Sequence, residues 1–101
     1  MGNGYTYIWQ FQVYPDCQSK FLEFYGTDGT WVQLFRRAPG FVETLLLKDR
    51  SVPGRYITID RWRSEEAHDV FRRNFAREYA LLDNECDSFT SDEQFLGAFS
   101  E

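Results

Sequence analysis

The sequence predicts an α+β protein with the ferredoxin-like order β-α-β-β-α-β, in which an antiparallel sheet carries both helices on one face. Four stretches with strand-like apolar patterns occur in the 101 residues, and helical spacing separates the first from the second and the third from the fourth. Ten Phe, six Tyr and three Trp supply more aromatic surface than so short a chain buries alone. We therefore expect one domain over residues 1–101 that covers its bare sheet face with a second copy.

The first strand is predicted over Tyr5–Tyr14, after a loose start at residues 1–4. Alternate positions place an entirely apolar or aromatic face on this strand, formed by Tyr5, Tyr7, Trp9, Phe11 and Val13. The opposite face of the strand is mixed in polarity, so it is neither dry nor plainly solvated. One face of the sheet is expected to meet the helices and a pocket, and the other is expected to meet a second subunit.

Two helices are predicted between the first and second strands. Asp16 follows a proline and is the expected N-cap of the first helix, where its charge suits the helix dipole. The Gly26–Gly29 segment breaks that helix. Asp28 or Thr30 is then expected to cap a short second helix over Trp31–Arg37.

The second and third strands are predicted over Phe41–Lys48 and Arg55–Trp62, joined by a loop that contains a Pro-Gly turn. The continuous apolar run Leu45–Leu47 is typical of a strand that is buried on both faces. The third strand instead alternates two isoleucines with polar and aromatic residues. These two strands complete the centre of the predicted sheet.

A long amphipathic helix is predicted after the third strand. Ser64 is a plausible N-cap, and two glutamates follow it in the first turn. Apolar residues recur at helical spacing as far as Leu82, and the helix either extends or breaks before Asp87. A short last strand, placed at the sheet edge, is predicted after Asp92.

Charge and composition exclude several classes of function. A net charge of −5 argues against general nucleic-acid binding, which needs a basic face. No segment resembles a membrane span or a signal peptide. Two cysteines without a disulfide framework favour a reduced, cytoplasmic setting. Cys17 and Cys86 have no metal-ligand spacing, and Asp83, Glu85 and Asp87 are read as a solvated surface. No metal site is expected.

Several segments resemble one known family over about Tyr7 to Phe99. They are Val13-Tyr14-Pro15, Phe24-Tyr25, Arg36-Arg37-Ala38-Pro39-Gly40-Phe41, Thr44-Leu45-Leu46, Arg55-Tyr56-Ile57 and Asp60-Arg61-Trp62-Arg63-Ser64-Glu65-Glu66-Ala67. This set resembles the antibiotic biosynthesis monooxygenase domain, a member of the dimeric α+β barrel superfamily. The resemblance implies a homodimer that joins through sheet faces.

The same resemblance implies a cofactor-independent monooxygenase that acts on a small aromatic or polyketide-like substrate. The rival hypothesis is a non-catalytic module that holds a small apolar ligand, favoured by a shortage of polar groups among the expected pocket residues. A third branch of the family degrades haem with an Asn, a Trp and an axial His. Those positions fall near Trp9, Phe71 and Leu81, none of which carries the needed residue, so haem degradation is not expected.

The candidate catalytic residues lie on the long helix. His68 is the only histidine, and His68, Arg72, Phe75 and Tyr79 follow one helical stripe as a base, a cation, an apolar wall and a phenol. The alternative for His68 is a half-exposed position at the rim. A phenol-oxidising site needs a base and a donor that holds the resulting anion, which these residues would supply.

Aromatic residues supply the candidate walls of the pocket. Trp62, Trp31 and Trp9 are expected to contact substrate together with Phe75, although ordinary core or dimer packing is the alternative for each tryptophan. Asp60 is in phase with Trp62 and is expected to point inward. It would then be either a base with a raised pKa or the partner of an arginine such as Arg37 or Arg61.

Overall fold

The computed structural model describes residues 4–101, so most of the predicted loose start lies outside the described residues. All four strands pair in antiparallel fashion in the spatial order β2-β3-β1-β4, which confirms the predicted ferredoxin-like α+β fold. The elements are β1 Tyr5–Val13, α1 Gln18–Tyr25, α2 Thr30–Phe35, β2 Phe41–Lys48, β3 Arg55–Trp62, α3 Glu65–Asn74, α4 Ala76–Cys86 and β4 Thr90–Ser100.

The two faces of the sheet differ in burial because side chains alternate along each strand. The inner face meets the helices, and there Phe11, Tyr56 and Trp62 are buried beside helical Phe21 and Phe71. The outer face carries no helix in residues 4–101. Its isoleucines are half-buried, and they are Ile8, Ile57 and Ile59.

The start of the first helix differs from the prediction. Pro15–Cys17 forms a 3₁₀ turn before α1, and Asp16 lies inside that turn instead of capping the helix. The proline fixes the backbone for this tighter turn, which leaves the Asp16 side chain without a capping hydrogen bond. Helix α2 begins after Gly29, again without a side-chain cap, and ends at Phe35.

The long second helix is two helices. The Ser64 prediction is confirmed, since Ser64 Oγ accepts a hydrogen bond of 3.1 Å from the backbone N–H of Ala67. At Phe75 the backbone leaves the helical region, with φ −120° and ψ 27°, and α4 then continues to Cys86. Neither proline nor glycine marks this break in the sequence. Among the described residues, each helix is too short or too polar to cross a lipid bilayer.

The edges of the sheet also differ from expectation. Strand β2 is an edge strand, and Leu45 and Leu47 on its outer face are 40% and 48% exposed, so burial on both faces is wrong for the chain by itself. Strand β4 is the other edge, as predicted, but it is longer than expected and runs over 11 residues. Its pairing with β1 shifts register between Ile8 and Trp9, where a bulge interrupts the ladder.

Gly40 lies in the turn that connects α2 to β2, and this turn requires a residue without a side chain. Its φ of 96° lies in the left-handed region, and a Cβ atom there would stand 2.6 Å from the Cβ of Ala67. The Gly40 carbonyl also accepts a 2.7 Å hydrogen bond from the backbone N–H of Arg63. This turn therefore holds α3 close to the start of β2.

Candidate functional site

One cavity lies between the inner face of the sheet and the helices. Its volume is about 360 Å³, which suits a small aromatic molecule. Strands β1, β2, β3 and β4 contribute to its wall, as do helices α1, α2, α3 and α4. The lining residues used below are Tyr7, Trp9, Phe11, Tyr25, Trp31, Thr44, Thr58, Asp60, Arg72, Tyr79, Asp83, Asp87 and Glu93.

Aromatic rings form much of the cavity wall. The Trp9 ring meets the Phe95 ring edge-on at 5.2 Å between centroids, and Trp31 meets Tyr79 in the same way at 5.0 Å. The Trp31 indole N–H is buried and has no hydrogen-bond partner among residues 4–101. The wall therefore offers flat aromatic surface to a ligand, while the indole nitrogen of Trp31 is itself enclosed by the protein.

Asp60 is the buried carboxyl group of the cavity. It is 6% exposed, and the hydroxyl of Thr44 donates a hydrogen bond of 2.5 Å to its Oδ1 atom. The expected ion pair is wrong for residues 4–101: Arg61 binds Glu43 and Glu101 instead, because its side chain points to the opposite face. Burial without a cation disfavours the charge and raises the pKa of Asp60 to about 6, against the lowering effect of the Thr44 hydrogen bond.

Two tyrosine hydroxyl groups lie near that carboxyl. Burial, and after it the charge of Asp60, raises the pKa of Tyr7 well above its ordinary value. Burial also raises the pKa of Tyr79, although the neighbouring Arg72 opposes this. Both phenols therefore stay protonated at neutral pH and can donate hydrogen bonds into the cavity.

Arg72 brings the one positive charge among the cavity-lining residues. Its guanidinium group stacks over the Tyr79 ring at 3.9 Å from the centroid. Three carboxylates on exposed residues, Asp83, Asp87 and Glu93, also line the cavity. Partial burial and these neighbouring acids raise the pKa of Glu93, with burial the larger cause.

The predicted helical row is divided by the structure. Arg72 and Tyr79 line the cavity together, whereas Phe75 packs on Phe71 and under the guanidinium of Arg37. His68 is not among the lining residues. It sits near the start of α3, with its ring 5.0 Å from Tyr7, and burial lowers its pKa. His68 and Arg72 both precede the break at Phe75, so the break does not separate them; His68 instead packs against the rings of Tyr5, Tyr7 and Trp62.

The three tryptophans also separate. Trp9 and Trp31 line the cavity, as expected of wall residues. Trp62 is 1% exposed and packs against Phe35, Phe41 and Phe71 within the core, outside the cavity lining. The alternative of core packing describes its position better.

Polar residues of the cavity escaped the sequence-based reasoning. Thr44, Thr58 and Tyr7 line it, so the expected shortage of polar groups is wrong. The alternation on β3 contains the signal for Thr58, which lies in phase with Asp60. The cross-strand pairing of Asp60 with Thr44 and Tyr7 comes from the register, which no local pattern specifies.

The family comparison agrees with this fold. The model of the antibiotic biosynthesis monooxygenase family matches residues 5–78, and the chain belongs to that family. The matched range includes Asp60 and Arg72, while Glu93 lies beyond it. Sequence comparison with curated proteins gives no match.

Solved structures of other proteins share the fold. SnoaB, a cofactor-independent oxygenase from Streptomyces nogalater, superposes with a TM-score of 0.72 at 23% identity, over 98% of this chain and 93% of its own. A proposed antibiotic biosynthesis monooxygenase from Nitrosomonas europaea gives a TM-score of 0.75 at 14% identity, over 100% and 92%. A conserved protein from Methanosarcina mazei gives 0.77 at 10% identity, over 95% and 90%.

Proposed function

We propose that this protein is a cofactor-independent monooxygenase that oxidises a small aromatic or polyketide-like phenol with molecular oxygen. The observation that carries the proposal is the convergence of aromatic walls, a buried carboxyl group and an arginine on one cavity of about 360 Å³. Family membership supports the reaction class, and the name of SnoaB describes the same kind of activity in a protein of the same fold.

The proposed roles follow from position. Trp9 and Trp31 supply flat aromatic surface for packing against the substrate ring. Arg72 stabilises the negative charge that develops when the phenol ionises. Tyr79 remains protonated and donates a hydrogen bond to the same oxygen. In this proposal His68 contacts Tyr7 and acts at a distance from the substrate.

The overall chemistry needs no electrons from the protein. A ring methylene of the phenolic substrate and one O₂ molecule give a ring carbonyl and one water, so that one oxygen atom enters the product. The substrate supplies the electrons, and the protein supplies an aromatic cavity, a proton acceptor and a cation that stabilises the substrate anion. No cofactor is included in the proposal.

A homodimer joined through the outer sheet faces is part of the proposal. The cross-strand row Leu45, Ile59 and Ile8 forms an aliphatic stripe on that face, and Leu47 pairs with Ile57 beside it. An exposed aliphatic sheet face is costly in water, and a two-fold copy of the same face would cover it. Strand β2 would then gain the second buried face that its leucines predict.

Oxygen uptake tests the proposed activity. Wild-type protein is expected to consume oxygen with at least one member of an anthrone and naphthol panel, whose keto forms contain the ring methylene that the reaction needs. Arg72→Ala is expected to lower kcat/KM by about tenfold or more, because the cation proposed to stabilise the substrate anion is lost from the cavity. Arg73→Ala is the matched control, since Arg73 is its exposed neighbour on α3 and does not line the cavity.

Two results would contradict this function. Wild-type protein without oxygen uptake across the whole panel removes the monooxygenase. Equal losses in Arg72→Ala and Arg73→Ala would remove the assigned role of the cavity arginine. The rival of a non-catalytic binding module rested on an apolar pocket, and the polar lining of this cavity gives it no support.

A further inference from the structure

We propose that Asp60 is the group that accepts the proton of the bound substrate, and that Thr44 positions its carboxylate for this step. The inference rests on the proposed function and names the base that the reaction requires. Asp60 lies on the inner face of β3 and lines the cavity, flanked across the sheet by Thr44 of β2 and Tyr7 of β1.

The Asp60 carboxylate accepts a hydrogen bond but has no cationic partner among residues 4–101. A buried Asp is ordinarily paired with a cation, because the isolated charge is costly in the protein interior. Among residues 4–101, Asp60 makes no ion pair, and its one side-chain hydrogen bond is the 2.5 Å contact from Thr44 to Oδ1. Its second oxygen, Oδ2, is therefore left to a ligand in the cavity. A buried carboxylate with a purely structural role would be expected to have both oxygens bonded to protein groups.

The other titratable groups around the cavity are unsuited to the step. The phenols of Tyr7 on β1, Tyr25 on α1 and Tyr79 on α4 hold their protons at neutral pH, since burial raises all three pKa values. Arg72 on α3 is a cation. The remaining acids, Asp83 and Asp87 at the end of α4 and Glu93 on β4, belong to exposed residues.

Burial makes Asp60 a stronger base than an ordinary carboxylate. A carboxylate with an ordinary pKa is a poor base for a phenol, because the two pKa values lie far apart. The raised pKa of about 6 brings Asp60 closer to the pKa of a phenol and still leaves it ionised at neutral pH. In the step, the substrate O–H bond breaks and its electron pair stays on the substrate oxygen. The proton passes to Oδ2 of Asp60, and the substrate anion faces Arg72 before it reacts with O₂.

Thr44 has a positioning role that a pH profile detects. Its hydroxyl favours the ionised form of Asp60. Removing the hydroxyl in Thr44→Val is therefore expected to raise the pKa of Asp60, and the rise of kcat/KM with pH moves to higher pH. Thr44→Ser keeps the hydroxyl and is expected to restore the wild-type midpoint. A merely structural role would lower activity without moving the midpoint.

Oxygen uptake over about pH 5 to pH 8, with the best substrate of the panel, tests the base. Wild-type kcat/KM is expected to rise through about pH 6, and Asp60→Asn is expected to lose about 100-fold or more at neutral pH. Asp69→Asn is the matched control on the exposed surface of α3 and is expected to stay within about twofold. Circular dichroism and naphthol binding establish that each variant is folded.

The outcomes separate the two proposals. An active wild type whose Asp60→Asn variant retains half its activity overturns the assignment of the base and leaves the monooxygenase intact. An unchanged midpoint in Thr44→Val overturns the positioning role of Thr44. A wild type without uptake on every substrate removes the monooxygenase, and the base with it.

Discussion

The inner and outer faces of the same sheet carry different chemistry. Inside, aromatic rings surround a cavity that contains the buried carboxyl of Asp60. Outside, the central strands present isoleucine and leucine side chains in register, with Leu45 and Leu47 well exposed. Because strand side chains alternate, each strand serves both faces. This difference is the basis on which we propose a ligand site on one side and a homodimer surface on the other.

The largest expected effect comes from the helix-covered side. Phe71 is fully buried between Trp62, Phe35 and Phe75, so Phe71→Ala leaves a cavity in the aromatic core. Urea unfolding is expected to show a loss of about 3–5 kcal/mol in the free energy of unfolding. Leu81→Ala, at a position that is 63% exposed on α4, is the control. A loss below about 1 kcal/mol for Phe71→Ala would break the assignment of this face as the core.

Asp60→Asn is expected to stabilise the protein at neutral pH. The native pKa lies near 6 and the ordinary value is 3.8, so the unfolded chain releases this proton first as pH rises. The stability contribution of Asp60 is therefore fully present below about pH 3.8 and lost as pH rises through about 6. At roughly 1.4 kcal/mol per pKa unit, the variant is expected to gain about 2–3 kcal/mol at about pH 7.5.

Urea unfolding of wild type and Asp60→Asn across pH checks this sign. The gain is expected to shrink as pH falls and to reach zero only near about pH 3, below the ordinary value of 3.8, where the carboxyl is protonated in both states. A variant that is less stable than wild type at neutral pH would mean that Asp60 is a structural anchor. That result would remove the contrast between a costly inner carboxylate and the outer ion pairs of Arg61.

Ile59→Lys on the outer face is expected to have the smallest effect on the cavity. A charge in the aliphatic stripe should prevent the proposed dimer, so sedimentation mass falls from twice 12.0 kDa to 12.0 kDa. Naphthol affinity is expected to change by no more than about threefold, because Ile59 points away from the cavity. Leu81→Lys is the exposed control. A wild type that sediments at 12.0 kDa contradicts the dimer.

The sequence predicted the fold well where local signals were strong. Ser64 followed by two glutamates marked the start of α3, and the alternation on β3 placed Asp60 inward. The break at Phe75 was missed because neither glycine nor proline marks it. The prediction for Asp16 failed because the proline before it favours a 3₁₀ turn.

The candidate site was predictable only in part. Helical spacing named Arg72 and Tyr79, and the family resemblance named Trp9 and Trp31; all four line one cavity. The hydrogen-bond partner of Asp60 was not predicted, because Thr44 is 16 residues away and meets Asp60 through strand register. Register depends on the pairing of whole strands, so a sequence pattern on one strand does not reveal it.

The most direct test of the account follows ligand binding on both faces at once by NMR. All three isoleucines lie on the outer face, while Trp9 and Trp31 line the cavity. Titration with 2-naphthol is expected to shift the indole N–H signals of Trp9 and Trp31 and to leave the isoleucine methyl signals unchanged. Shifts confined to the methyl signals of Ile8, Ile57 and Ile59 would place the ligand on the outer face and contradict the account.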